Sequence, residues 1–274
     1  MISALPDPAT LARIGAGASA DVLLLPDGRA LKLLLPGIGE GVARREFDAT
    51  LTAYRAGLPV PAPLTQVTVA GRHGLVLERL DEPRWMRRGR RLPGAVMATL
   101  DRLARAQAAA HRVAVGPGEL APVHAVLGAR LLESNAPVAA IDAAAAALAR
   151  LPTGDRLLHG DLHLGNVVTA GGRMFLIDWS QAMAGDPAAD VARSELVMRF
   201  GRHGHWLRRW PALHVARDAA AEWYLFRYRR LTGLSEAAID AWRLPVAVAW
   251  LRDGSAAHVP ALTAWVERRM ARPR

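Results

Sequence analysis

The stretch that decides the fold runs HGDLHLGNVVTAGGRMFLID, from His159 to Asp178. Asp161 stands five residues before Asn166, and a hairpin-like segment then leads to a second aspartate, Asp178. Moving a phosphoryl group calls for these side chains. One carboxylate accepts or orients the hydroxyl proton of the acceptor. An amide oxygen and a second carboxylate hold Mg²⁺ against the nucleotide phosphates. A single aspartate in a loop is usually a cap or a turn residue; here the elements follow one another in a fixed order.

HGDLHLGN, followed by IDWSQAMAGDPAADVAR at 177–193, resembles the catalytic and metal-binding segments of the aminoglycoside phosphotransferase and choline kinase family. That family shares the protein-kinase fold and phosphorylates small molecules. A protein kinase would read close to HRD-x4-N and then DFG. Here Gly160 stands in the arginine position, and Trp179-Ser180 follows Asp178. Both departures point to the small-molecule branch. The resemblance reaches from about Ile14 to about Leu251.

The resemblance implies an α+β, bilobal, protein-kinase-like fold. A small β-rich nucleotide-binding lobe would span 1–80, and a larger, mainly helical catalytic and substrate-binding lobe 81–274. It implies Asp161 as the catalytic carboxylate, Asn166 and Asp178 as Mg²⁺ ligands, and His159 as a residue that shapes the loop. Asp190, in GDPAADVAR, would buttress that loop, a role compatible with a first-turn helix carboxylate. Asp186-Pro187 reads as an N-cap with a first-turn proline. His163 either faces the acceptor or is a loop histidine without a role.

Upstream, residues 11–35 read as strand, turn, strand, turn, strand. Ile14–Val22 resembles a kinase glycine-rich loop, with Gly15, Gly17 and Ala18 placed to cover phosphates and Ala20 in place of the third glycine. Glycines let a backbone approach phosphates closely. Val22–Leu25 and Ala30–Leu35 would form a hairpin through Pro26-Asp27-Gly28. It carries Lys32, the single lysine among 35 strongly basic residues. A lysine kept where every other base is arginine fits a site with no room for a guanidinium. The resemblance implies that it contacts the α- and β-phosphates. A helix over 40–57 is expected from the recurrence of Phe47, Leu51, Tyr54 and Leu58. Glu46, beside that stripe, would pair with Lys32; the alternatives are an exposed partner for Arg44 or Arg45, or Glu40 in its place. Strands are expected at Leu64–Ala70 and Leu75–Leu80 with a turn at Gly71–Gly74. The second leads into Glu78 and Leu80 at the hinge position, where backbone groups would meet adenine. The choice between ATP and GTP stays open.

From Val96 onward the pattern is helical. Helices are expected ending near His111, over Ala139–Leu151, and at roughly 187–201, 205–214, 216–232 and 235–253. The chain has no cysteine, which removes disulfide and thiol chemistry. No basic-then-apolar leader is visible, and no stretch is apolar for long enough to span a bilayer, so a cytoplasmic protein without a membrane partner is expected. The net charge is +10. The arginines are dispersed apart from 84–91 and the C-terminal run, and no aromatic beyond Trp85 interleaves them, so no nucleic-acid partner is expected.

The partner expected instead is a small-molecule alcohol. A polycationic acceptor needs clustered carboxylates. The candidates are Glu195, Glu222, Asp218, Glu236 and Asp240, of which Glu195 and Glu222 are the nominated substrate contacts. Trp206, Trp210, Trp223, Tyr224, Trp242 and Trp250 offer an aromatic wall or, more simply, core. An aminoglycoside stands beside an amino alcohol, a sugar or a thiamine-like vitamin as acceptor. A protein kinase, a nucleotide-binding pseudokinase and a basic nucleic-acid binder are the other classes. The first is disfavoured by the missing DFG and APE motifs, and the second by the presence of Lys32, Asp161, Asn166 and Asp178 together.

Overall fold

The computed structural model describes residues 5–17, 19–81, 93–201, 211–253 and 258–271. They fall into two compact units: Met1–Arg88 with Asn166–Ala182, and Gly89–Gly165 with Met183–Arg274.

The first unit is built on an antiparallel sheet. Its strands are β1 (Arg13–Ala16), β2 (Ala20–Leu24), β3 (Ala30–Leu34), β4 (Pro63–Val69) and β5 (Arg72–Leu77), in the order β1-β2-β3-β5-β4. A turn through Gly28, at φ 86°, joins β2 to β3. The central strand β3 is ALKLL, and period-2 alternation sends its side chains to opposite faces. Leu31 and Leu33 join Leu23, Leu25 and Val76 in one apolar cluster. Leu34 joins Ala20, Ala43 and Leu75 on the other. Lys32, between Leu31 and Leu33, shares this second face, opposite Val22 and Leu75.

Helix α1 (Glu40–Arg55) covers that face. Its buried residues are Ala43, Glu46, Ala49, Thr50 and Ala53. The expected stripe is corrected at Tyr54, which is exposed; Phe47 and Leu51 are half-buried, Phe47 packing against the second cluster, and Leu58, past the helix end, is buried. Small side chains let the helix lie close to the sheet, and they leave room for one carboxylate, Glu46, to be drawn inward.

The turn between β4 and β5 also departs from expectation. Ala70 and Gly71, at φ 49° and 72°, make it, whereas Gly74 lies inside β5 opposite Leu33. A methyl group at Gly74 would stand 2.6 Å from the Lys32 carbonyl oxygen and 3.2 Å from the Leu33 Cα. Gly74→Ala should therefore force β3 and β5 apart and cost about 1–3 kcal/mol. Thermal unfolding at wild-type temperature would contradict this.

The second unit holds the helices α2 (Pro93–Ala110), α3 (Val123–Leu132), α4 (Val138–Leu148), α5 (Pro187–Phe200), α6 (Pro211–Thr232), α7 (Glu236–Trp250) and α8 (Val259–Met270). A short pair, β6 (Arg156–Leu158) and β9 (Met183–Gly185), lies with them. Between those strands in sequence, β7 (Val167–Ala170) and β8 (Arg173–Leu176) form a hairpin grouped with the first unit. Helix α5 is buried on nearly all sides, with Val191, Leu196 and Val197 in the core, and packs against α6 and α7. Its start is fixed as expected: the Asp186 carboxylate accepts from the Ala188 N–H at 2.7 Å, and Pro187 follows. Helices α3 and α8 were not expected. The two expected at 205–214 and 216–232 are, from Pro211 onward, a single helix α6.

Candidate active site

In the first unit the sheet, α1 and the hairpin bring three charged groups together. Lys32 Nζ donates to Glu46 Oε1 at 2.5 Å and to Asp178 Oδ1 at 2.9 Å. Lys32 and Glu46 side chains are 12% and 3% exposed, Asp178 31%, so the ammonium is screened from water on its helix side. Burial alone would lower the lysine's affinity for its proton, but the charges of Glu46 and Asp178 outweigh burial and raise it. Lys32 thus stays a cation.

Asp178 stands two residues past the end of β8, and its backbone sits at φ 66°. Among the described residues only Ala70 shares that left-handed conformation without being glycine, and such strain concentrates at functional positions. Ser180 Oγ donates to its Oδ1 at 2.9 Å. The Ile177 N–H donates to the Asn166 carbonyl at 3.0 Å, so Asn166 and Asp178 flank the same end of the β7–β8 hairpin. Their side chains offer hard oxygen donors of the kind Mg²⁺ takes. Among the described residues no group of three or more His, Cys, Asp or Glu could hold a metal by itself. One carboxylate and one amide fit an ion that also depends on phosphate oxygens.

The Lys32–Glu46–Asp178 cluster lies at the wall of a cavity of about 230 Å³. Gly15, Val22 and Ala30 line it from the sheet, Val168 and Ile177 from the hairpin, and Leu77, Glu78 and Leu80 from the end of β5 and the segment beyond it. Lys32, Glu46 and Asp178 make its charged wall. Glu78 is tied to the neighbouring chain: its N–H donates to the Ala62 carbonyl at 2.9 Å, and its Oε2 accepts from the Ala62 N–H at 3.1 Å. The Gly17 N–H donates to the Ala20 carbonyl at 2.8 Å, which closes the β1–β2 turn. Ala18, expected in the same loop, lies outside the described residues.

In the second unit the loop that starts at His159 is anchored on α5. The Asp190 carboxylate accepts from the backbone N–H of Gly160 at 2.7 Å and of His159 at 3.1 Å. It also accepts from Gln107 Nε2 at 2.8 Å and lies 3.0 Å from His111 Nε2. Gly160 sits at φ 79°, a conformation an arginine there would adopt only under strain. Burial favours protonation of Asp190, yet the hydrogen bond and charge of His111, with His159 and Gln107, hold it down at about 2. Gln107 and His111 were missed at the sequence level because they come from the last turn of α2 and the residue just past it, about 80 residues away along the chain. His159 is buried.

Asp161 follows that anchor. Arg193 Nη2 lies 3.0 Å from its Oδ1, and His163 Nε2 lies 3.6 Å from its Oδ2. Burial opposes ionisation, but His163 and the Arg193 guanidinium outweigh it and hold the carboxyl well below the usual range. The His163 Nδ1 accepts from the Gly165 N–H at 2.9 Å, which leaves a neutral ring its proton on Nε2, toward Asp161. Arg193 had a signal in the sequence, since it stands three residues after Asp190, on the same face of a helix.

The nominated substrate carboxylates belong to the same unit, and each carries an arginine. Glu195 is buried, with Arg199 Nε at 2.9 Å and Arg243 Nε at 2.7 Å. Glu222 and Asp218 pair with Arg199, and Glu236 and Asp240 with Arg243. Tyr224 and Trp242 are core residues, Trp250 is buried and Trp223 is partly exposed; Trp206 and Trp210 lie outside the described residues. No helix is long and apolar enough to cross a membrane among the described residues.

Residues 10–234 match the APH model, described as the phosphotransferase enzyme family. The chain belongs to that family. No curated protein matches the sequence. Among solved structures it is similar to a thermostable aminoglycoside phosphotransferase APH(4)-Ia mutant in a ternary complex with AMP-PNP and hygromycin B. There the identity is 20%, the TM-score 0.63, and the coverage 95% of this chain and 91% of that one. It is also similar to a choline/ethanolamine kinase family protein from Mesorhizobium loti, at 16% identity and TM-score 0.62, covering 96% and 88%. A third is an aminoglycoside-3'-phosphotransferase of type VIII, at 18% identity and TM-score 0.57, covering 85% and 90%. The fold is the α+β kinase-like class expected from the sequence.

Proposed function

We propose that this protein transfers the γ-phosphoryl group of ATP to a hydroxyl group of a small molecule. The observation that carries this reading is the Lys32–Glu46–Asp178 triad on the wall of the 230 Å³ cavity. Lys32, held by Glu46, would bind the α- and β-phosphates as a point charge. The Gly15–Gly17 backbone would cover them, and the apolar lining near Leu77 and Leu80 would receive the base. Asn166 and Asp178 would hold Mg²⁺, whose charge would offset that of the phosphates. Asp161 would orient the acceptor hydroxyl or take its proton, and the phosphoryl group would pass directly to the alcohol.

The acceptor is read as a neutral or anionic alcohol in preference to a polycationic aminoglycoside. All five carboxylates that the C-terminal helices offered for a polycation already pair with arginine, and the net charge of +10 repels such a ligand at long range. The test is ATP consumption with Mg²⁺ against aminoglycosides, amino alcohols, sugars, hydroxy acids and vitamins. Turnover that requires an added alcohol supports the reading. Nucleotide binding with no turnover on any of them would favour a pseudokinase.

Asp178→Ala should weaken ATP binding in the presence of Mg²⁺ by about tenfold or more, in line with the loss of a metal ligand. Titration calorimetry with and without Mg²⁺ measures this. Equal nucleotide affinity under both conditions in the wild type would contradict the metal role of Asp178.

A further inference from the structure

Asp190 and Arg193 stand one turn apart on α5, and both reach the same loop. Asp190 takes the backbone N–H groups of His159 and Gly160. Arg193 takes the side chain of the next residue, Asp161, at 3.0 Å. The Arg193 guanidinium carbon also lies 4.1 Å from the centre of the Trp250 ring. Trp250 belongs to α7 and is stacked with His258 at 4.4 Å and an interplanar angle of 18°. Arg193 is therefore held from two sides, by a carboxylate and by a ring that itself cannot move freely. Its side chain is 13% exposed.

We propose that Arg193 is the positioning residue of this site, fixing the Asp161 carboxylate from α5 so that its orientation is set before an acceptor hydroxyl arrives. This rests on the reading of Asp161 as the catalytic carboxylate. The helix thereby clamps the loop twice, through its backbone at Asp190 and through its working side chain at Arg193. Arginine suits the task because one planar group donates hydrogen bonds and stacks on an indole together, which an ammonium does less well. A preset carboxylate matters because a displacement of about 1 Å can cost roughly 10²-fold in rate. The charged and titratable groups that face Asp161 include Arg193 from α5, His163 from its own loop, and His159 two residues before it.

Two neutral variants test the proposal. Arg193→Gln removes the charge, and Arg193→Met does so while keeping a long side chain against Trp250. Each is read in two ways. The first is a ¹³C NMR titration of the Asp161 carboxyl, identified by its loss in Asp161→Asn. The second is steady-state turnover of Mg·ATP with the best acceptor of the panel above, set against nucleotide Kd. In the wild type, Asp161 should stay ionised to the lowest pH at which the fold survives. In both neutral variants its midpoint should rise into the ordinary carboxylate range. kcat should fall by about 10–10²-fold with Kd unchanged, and Arg193→Lys should recover part of both effects. An unmoved Asp161 titration, or wild-type kcat, in whichever neutral variant folds would overturn the proposal. The titration needs neither nucleotide nor acceptor. It therefore fails independently of the functional reading, which fails instead if Asp161→Asn keeps its turnover.

Discussion

Asp161→Asn should leave a folded protein whose phosphoryl transfer falls by about 10²–10⁴-fold. The amide keeps the size of the carboxylate but lacks the charge that orients a hydroxyl and receives its proton. The change also removes the ionic partner of Arg193 and the acceptor beside His163. Because the Asp161 side chain is 28% exposed, water can compensate Arg193 and the fold should survive. Nucleotide affinity should be near that of the wild type, because the Lys32–Glu46–Asp178 triad is untouched. Near-UV circular dichroism, nucleotide calorimetry and an ADP-release assay on one preparation separate these effects. Turnover within a few-fold of wild type would remove Asp161 from the chemistry.

The second large effect is on stability. Asp190→Ala should destabilise the protein by about 3–5 kcal/mol. It strips the acceptor from two backbone N–H groups and the partner from His111 Nε2, and leaves the Gln107 amide only its bond to Ser194 Oγ, in a position that is 2% exposed. Buried donors left without an acceptor carry the full desolvation cost. The same carboxylate shapes the acid limb of stability. Its folded value of about 2 lies below the roughly 4 of an unfolded aspartate. Ionised Asp190 therefore favours the folded state above pH 4, and this contribution, about 2 kcal/mol, is lost as pH falls from 4 to 2. Asp190→Asn should show a shallower loss of stability over that window in urea titrations. Identical slopes for the two proteins would place the acid sensitivity elsewhere.

Local order in the sequence carried much of this architecture. The β2–β3 hairpin, Lys32 at its centre, the capped start of α5 and the run from His159 to Asp178 were legible because each depends on residues close together in the chain. What was illegible depends on distance or on small side chains. The inner face of α1 is alanine and threonine around a buried glutamate, so a search for large apolar residues found the half-buried Phe47 and the exposed Tyr54 instead of that face. Helix α3 and strands β6 and β9 are short and lack strong periodicity. The ring of donors around Asp190 draws Gln107 from α2 and His111 from just past its end, and no spacing rule links them to Asp190. Arg193 was visible as a residue at helical spacing from Asp190. Its target became apparent only once the loop had folded against α5.

The solitary ε-amine has a practical outcome. An acylating reagent that modifies amines has one side-chain target in this chain, and that target sits inside the ion triad, 12% exposed. Intact-mass spectrometry then turns label uptake into an occupancy meter. The one increment possible beyond the α-amine reports how often Lys32 escapes Glu46 and Asp178, without peptide mapping.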